Sequence, residues 1–126
     1  MKYLMLVCVD PALDPADADA RAGADTDGGV GADVDGEVPI ETWVAETDAA
    51  GTRVLGDRVR PAADATTVRI RGGRLLVTDG PFGETKEQIA GFDVLDCRDL
   101  DHALEVAARH PMARHGYLEL RPFWVE

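Results

Sequence analysis

Runs and alternations of apolar residues divide the chain into a short series of elements. Tyr3, Leu4, Met5, Leu6, Val7, Cys8 and Val9 are apolar without a break, which predicts a strand covered on both faces in the middle of a sheet. Asp10-Pro11 ends it. Pro39 at a first helical position, then Ile40, Trp43, Val44 and Thr47 at helical spacing and Gly51 as a stop, predict a short amphipathic helix with one face on the sheet. Arg53-Val54-Leu55-Gly56 follows, and after a Pro/Ala/Asp stretch Thr67-Val68-Arg69-Ile70-Arg71 alternates strictly, the signature of a half-exposed strand. Gly72-Gly73 supplies the positive φ angles of a two-residue hairpin turn, and Arg74 to Thr78 returns as the partner strand. Ile89 to Leu95 predicts another strand. Asp99 then caps a helix whose Leu100, Ala103, Leu104 and Ala107 share a face and which Pro111 stops, and a last strand runs from about Tyr117 to Val125.

The order strand, helix, strand, hairpin, strand, helix, strand is a split βαβ repeat with an inserted hairpin, for which a ferredoxin-like α+β sandwich is the natural architecture. Two helices cover only one face of such a sheet. Leu, Val, Ile, Phe and Trp are numerous enough on both strand faces that burial of the second face against another copy, a homodimer, is expected.

Composition changes this picture in one place. The chain of 126 residues, a single domain by length, carries 24 acidic and 13 basic side chains, a net charge of −11. Residues 10 to 37 hold nine of the acids (Asp10, Asp14, Asp17, Asp19, Asp25, Asp27, Asp33, Asp35 and Glu37) and only Arg21 as a base, so −8 of the total belongs to this segment. With almost no large apolar residue it is expected to be a flexible, solvated insertion. Its Asp25-Thr26-Asp27-Gly28 and Asp33-Val34-Asp35-Gly36-Glu37 are partial likenesses of calcium loops, but Gly29 and Gly36 stand where further ligands are needed, so no metal site is expected. The acidity argues against nucleic-acid binding and against attachment to anionic membranes. No run approaches the roughly 18 apolar residues of a membrane span. The first run has no cleavage-site residues behind it and reads as a strand instead of a signal peptide, which points to a cytoplasmic protein. Cys8 and Cys97 sit in apolar surroundings without metal-ligand spacing, as buried thiols of a reducing compartment do.

Residues 79 to 92 read DGPFGETKEQIAGF, a string that secondary-structure economy does not require. Asp79-Gly80-Pro81 forms a tight turn, Phe82 offers an aromatic face, and Glu84, Lys86 and Glu87 crowd three ionisable groups into four positions. Asp79 is either a carboxylate that caps its own turn or a general base; Lys86 and Glu87 are a solvated pair or a ligand clamp; Phe82 anchors its turn or stacks on a ring. In the last strand Tyr117, Glu119 and Arg121 share one face, opposite Leu118 and Leu120, and form either a solvated stripe or the wall of a cleft. His102 falls on the first turn of the second helix. His110 falls at that helix's C-terminus, where the helix dipole favours a cation.

With Asp79, Gly80, Pro81, Phe82, Glu84, Lys86, Glu87, Gly91 and Phe92, extended by Thr67-Val68-Arg69 upstream and by Asp99, Leu100, Ala103, Leu104, Tyr117, Glu119 and Arg121-Pro122 downstream, the sequence resembles the YCII-related family, in the branch named for its Asp-Gly-Pro-Phe motif. The resemblance covers about residues 52 to 124 and the first strand. It implies the ferredoxin-like fold of the dimeric α/β barrel type, with a cleft associated with the dimer. It also implies that a few relatives resemble dehydrochlorinases and lactone isomerases in which a His-Asp pair moves protons. The histidine of that pair lies in the first helix of the related branch, whereas the first histidine of this chain is His102. Other members resemble proteins encoded beside extracytoplasmic-function sigma factors, which implies a non-catalytic regulatory or binding module acting with such a partner. The enzymatic expectation is a small-molecule isomerase or lyase using proton transfer in a cleft lined by Asp79, Phe82, Glu84, Lys86 and Glu87. Asp79 or Glu87 would serve as base, and Lys86 or Arg121 would steady negative charge. Tyr117 and Glu119 would complete the binding wall, and no organic cofactor is implied.

Overall fold

The computed structural model describes residues 1–9, 38–80 and 88–125. The acidic segment 10–37, and with it the expected flexibility and the partial calcium loops, lies outside the described residues, as do Pro81, Phe82, Glu84, Lys86 and Glu87 of the turn motif.

The elements are β1 (Lys2–Val9), α1 (Ile40–Ala49), β2 (Arg53–Arg58), a 3-10 turn (Ala62–Asp64), β3 (Thr66–Arg71), β4 (Arg74–Asp79), β5 (Gln88–Asp96), α2 (Leu100–Ala108), α3 (Met112–His115) and β6 (Tyr117–Pro122). Strands β2-β5-β1-β6 form a four-stranded sheet whose neighbours are all antiparallel, and β3-β4 form a separate ribbon. This is an α+β arrangement with a mostly antiparallel sheet, compatible with a ferredoxin-like fold, and the hairpin is inserted between the second and third strands of the split repeat.

The unbroken apolar run of β1 does take a central place between β5 and β6. Its two faces differ. Tyr3, Met5 and Val7 are buried together with Leu95 of β5, Trp43 of α1 and Ala103, Val106 and Ala107 of α2, and Leu118 and Leu120 of β6 pack on this cluster. On the other face Leu4 and Leu6 stand opposite Val94 and Phe92 of β5 and opposite Arg121 and Glu119 of β6, and the four apolar side chains are only half-buried.

The second helix begins where the sequence predicts, and the first begins one residue later, at Ile40 instead of Pro39. Pro39 occupies the N-cap of α1, where its missing N–H costs nothing. The Asp99 side chain accepts from the His102 amide at 2.8 Å and caps α2. The buried stripe of α2 differs from the expected one. Leu100 and Leu104 are half-exposed, and Ala103, Val106 and Ala107 face the core, because small side chains let the helix approach the bulky Trp43. The Trp43 indole donates to the Val106 carbonyl at 2.9 Å, tying α1 to α2.

In the hairpin, Gly72 and Gly73 have φ of 56° and 75°, the pair of positive values that a type I′ turn demands and that glycine adopts without strain. The ribbon is more exposed than its alternation predicts: every residue of β4 is exposed, and so are Val68 and Ile70 of β3. Two strands alone bury neither of their faces. The last strand stops at Pro122, short of the expected Val125. Trp124 beyond it is 96% exposed. Cys8 and Cys97 are buried free thiols, and burial pushes the Cys97 thiol up.

Candidate active site

A cleft of about 610 Å³ opens between the helix-covered face of the sheet and the helices, lined by Val7 of β1, Arg53, Gly56, Asp57 and Arg58 of β2, Ala90 to Asp93 of β5, Ile40, Glu41, Trp43 and Val44 of α1, and His110, Pro111 and Met112 at the α2–α3 junction. Three features give it chemical character.

The first is a buried carboxylate in a strand. Alternation along β5 sends Leu95 into the core, so Asp93, two residues earlier, points to the same face, where it is 6% exposed. Its neighbour across β2 is Gly56. A Cβ at position 56 would overlap the Asp93 carboxylate, so glycine there makes the room the acid occupies.

The second is the arginine that holds this acid. Arg53 Nε donates to Asp93 Oδ1 at 2.8 Å, its NH2 donates to the Gly56 carbonyl at 2.8 Å, and its NH1 donates to Asp48 of α1 at 3.0 Å. The rigid guanidinium fork thus spans β2, β5 and α1. Burial pushes the Asp93 carboxyl up, and this outweighs the opposing pull of the Arg53 hydrogen bond. Among the described residues Arg53 is the one hydrogen-bond partner of the Asp93 carboxylate, and it takes Oδ1.

The third is a buried histidine, and it corrects the expectation of a helix-terminal cation. Pro111 turns the chain immediately after His110, folding the ring inward; it is 4% exposed and meets the Trp43 ring edge-on at 4.7 Å. Its Nδ1 accepts from the Met112 amide at 3.0 Å, so in the neutral ring the proton resides on Nε2. Burial pulls its pKa below the ordinary 6.5, and burial prevails here over the attraction of the helix dipole for a cation.

The sequence-predicted site residues lie elsewhere or outside the described residues. Asp79 ends β4, exposed, opposite Thr66 at the base of the ribbon. It does not line the cleft. The base of the ribbon is closed by the Gly80 amide on the Ala65 carbonyl at 2.7 Å and by the Thr67 hydroxyl on the Gly80 carbonyl at 2.7 Å. Tyr117, Glu119 and Arg121 do share one face, opposite Leu118 and Leu120, but it is the uncovered face of the sheet; Glu119 and Arg121 pair there at 2.8 Å with both side chains well exposed. An exposed pair of this kind contributes little to stability. His102 stays at the start of α2, its Nδ1 accepting from the Arg98 amide at 3.1 Å.

Sequence reasoning passes over Asp93 and reads His110 only as a helix-end cation. A signal for the first was present: one carboxylate inside an apolar strand and in phase with Leu95. For the second the only signal was the His110-Pro111 step at the helix end, which carries no chemistry until Trp43 is brought beside it. Among the described residues no group of three His, Cys, Asp or Glu stands together in a way that would hold a metal ion. No described helix is long and apolar enough to cross a membrane.

Comparison with known proteins places the sequence in a family. An uncharacterised protein of Rhizobium meliloti (strain 1021) is 45% identical over 67 residues, which is 52% of this chain and 54% of that protein. The chain therefore spans about half the length of the curated relative it matches. The model of the YCII-related domain matches residues 1–125, nearly the whole sequence. The protein belongs to the YCII-related family.

Proposed function

We propose that this protein is a small-molecule isomerase or lyase that works by proton transfer in the cleft between sheet and helices, in the Asp-Gly-Pro-Phe branch of its family and in the dimeric α/β barrel form of the fold. The observation that supports this most directly is that Asp93 from the sheet and His110 from the α2–α3 junction line the same cleft, where burial raises the acid and lowers the imidazole. Burial favours the uncharged form of each group, an acid that keeps its proton to higher pH and an imidazole held neutral, and such a pair is suited to exchanging protons with a bound molecule. The Trp43 ring and the apolar side chains of Val7, Val44 and Met112 supply a surface for a small apolar body. Asp93 and His110 carry this chemistry among the described residues, whereas Asp79 is exposed at the base of the ribbon and Lys86 and Glu87 lie outside the described residues.

The dimer rests on the uncovered face, where Leu4, Leu6, Phe92 and Val94 are only half-buried, and on the ribbon. Val68 stands opposite Val77 and Ile70 opposite Leu75, and the four are 59–65% exposed. A two-fold axis covers such patches with copies of themselves. The alternative is a regulatory module that offers the same stripe to a partner such as an extracytoplasmic-function sigma factor; co-sedimentation with that partner and loss of self-association would favour it.

Catalysis is tested by following deuterium entry into a panel of cyclic ketones and lactones in heavy water by NMR. The expected result is exchange catalysed by the wild type and slowed at least about 10²-fold in Asp93→Asn, as removal of a general base does. Exchange across the panel that is indifferent to Asp93→Asn would sink the enzymatic reading.

A further inference from the structure

Asp93 and His110 are not interchangeable, and their hydrogen bonds assign them different parts. The Met112 amide points its proton at His110 Nδ1, which fixes the neutral tautomer with its proton on Nε2. That nitrogen is the ring's remaining polar atom, and His110 lines the cleft. The ring accordingly offers the cleft an N–H donor and no lone pair. Asp93 is the complement. Arg53 Nε holds Oδ1, which leaves Oδ2 as the free acceptor. The charges also narrow the ligand, since the described lining carries Glu41, Asp57 and Asp93 against Arg53 and Arg58, and Arg53 is already engaged by two carboxylates. Among the described lining residues the cation without a carboxylate partner is Arg58, and it is exposed, so an anionic group finds no such partner among them in the depth of the cleft.

We infer that the cleft takes a neutral carbonyl compound with an apolar body, its carbonyl oxygen accepting from His110 Nε2–H and an acidic C–H beside that carbonyl facing Asp93 Oδ2. This rests on the proton-transfer reading and names its substrate class. In the step, the C–H bond breaks and its proton forms an O–H bond on Asp93. The bonding pair moves into the bond between the two carbons, and the carbonyl π pair moves onto oxygen, where the His110 N–H stabilises the developing charge. Where the substrate carries a C=C one carbon further on, the oxygen pair re-forms C=O, the double bond shifts toward it and the far carbon takes the proton back from Asp93, which is isomerisation. Where the adjacent carbon instead carries a leaving group, the oxygen pair re-forms C=O, the carbon–carbon double bond forms as the group departs with its electron pair, and Asp93 gives up the proton to that group or to water, which is elimination. Arg53 is a positioning residue, keeping Oδ1 occupied so that Oδ2 faces the substrate.

The test uses the full-length protein and two readouts that need no turnover. Long-range proton–nitrogen NMR on His110 at pH 7 is expected to show the Nε2–H tautomer and a shift of that N–H on addition of 2-cyclohexenone. 4-Nitrophenolate, an aromatic oxyanion resembling the enolate, is then titrated by absorbance. Asp93→Asn, which mimics the protonated acid, is expected to bind it about tenfold tighter than the wild type, one charge–charge repulsion of about 1.4 kcal/mol being removed. His110→Phe in that background is expected to lose about tenfold, and His110→Gln, which keeps an N–H, to recover part of it. Circular dichroism verifies that each variant is folded, and an unfolded His110→Phe leaves the decision to His110→Gln and the tautomer. An Nδ1–H tautomer, or nitrophenolate affinity unchanged or weakened in Asp93→Asn, would overturn the inference while leaving proton transfer open with His110 as base. The predicted tautomer and affinities without deuterium exchange on any ketone would instead defeat the catalytic reading and leave the ligand class standing.

Discussion

The cleft wall and the hairpin are built from the same kind of strand and have opposite fates. In β5 a carboxylate enters the core side of the sheet and is held by an arginine fork that also ties down α1. In β3 and β4 four large aliphatic side chains remain 59–65% exposed on one face of a ribbon that no described helix covers. Hydropathy alone would reverse the assignment, placing Ile70 and Leu75 inside and Asp93 outside. The difference is in what lies across from each strand. β5 has strands on both sides and helices above it, so even its charged residue is drawn into the interior, provided a partner compensates the desolvation. The ribbon has only itself, so its apolar face is covered only by something from outside the described chain.

Four experiments sharpen or break this contrast. Trp43→Ala should have the largest effect, a loss of about 3–5 kcal/mol in urea unfolding, because it removes a 1%-exposed side chain, the Val106 hydrogen bond and the ring against His110. Asp93→Ala comes next, with a loss of about 2–4 kcal/mol, since it leaves the 16%-exposed Arg53 guanidinium short of a buried partner. The double variant Asp93→Ala/Arg53→Met should recover part of that loss, and a neutral Asp93→Ala would mean the ion pair contributes nothing to the wall.

The third effect is one of pH. Because burial depresses His110 in the folded state, the unfolded chain binds the proton more readily. Its contribution is therefore fully present above the ordinary 6.5 and is lost as pH falls through the lower folded value. Chemical denaturation at pH 7.5 and 5.5 should show a decline of about 1 kcal/mol that His110→Gln flattens. Asp93 has the opposite sign: its folded value is raised, so its contribution is complete below the ordinary 3.8 and fades as pH rises through the folded value. The smallest stability effect belongs to Ile70→Glu, under about 0.5 kcal/mol for the isolated fold. Its sedimentation should nevertheless shift from dimer to monomer at micromolar concentration; an unchanged species would remove the ribbon from the proposed interface.

Much of the architecture was legible along the chain. The β1 run, Pro39 and Asp99 as helix starts and the Gly72-Gly73 turn correspond to elements in the structure, because each signal is local: an apolar run, a capping oxygen, a pair of positive φ angles. The buried stripe of α2 was misjudged because leucine periodicity says which residues are apolar, while the size of Trp43 across the gap decides which of them fit. The site was the least legible part. The string from Asp79 to Phe92 draws attention by its composition, yet Asp79 ends up exposed at the base of the ribbon; of the string's described residues Ala90, Gly91 and Phe92 line the cleft, while the cleft's buried acid and histidine belong to no local motif. Asp93 acquires its character from Arg53 and Gly56, both more than 30 positions away in sequence, and His110 from Trp43 and the Met112 amide.

By itself the sequence determined the order of elements, the antiparallel hairpin, the local concentration of acid between residues 10 and 37 and the likeness to the YCII-related family. All of these depend on neighbours within a few positions or on the string as a whole. Only the tertiary structure decided which face of β1 is covered by the helices, that His110 is a neutral buried donor instead of a helix-end cation, and that Asp93 is a held carboxylate on a cleft wall. Protonation and hydrogen-bond direction are set by desolvation and by partners brought together across the fold, and no spacing along the chain encodes those distances.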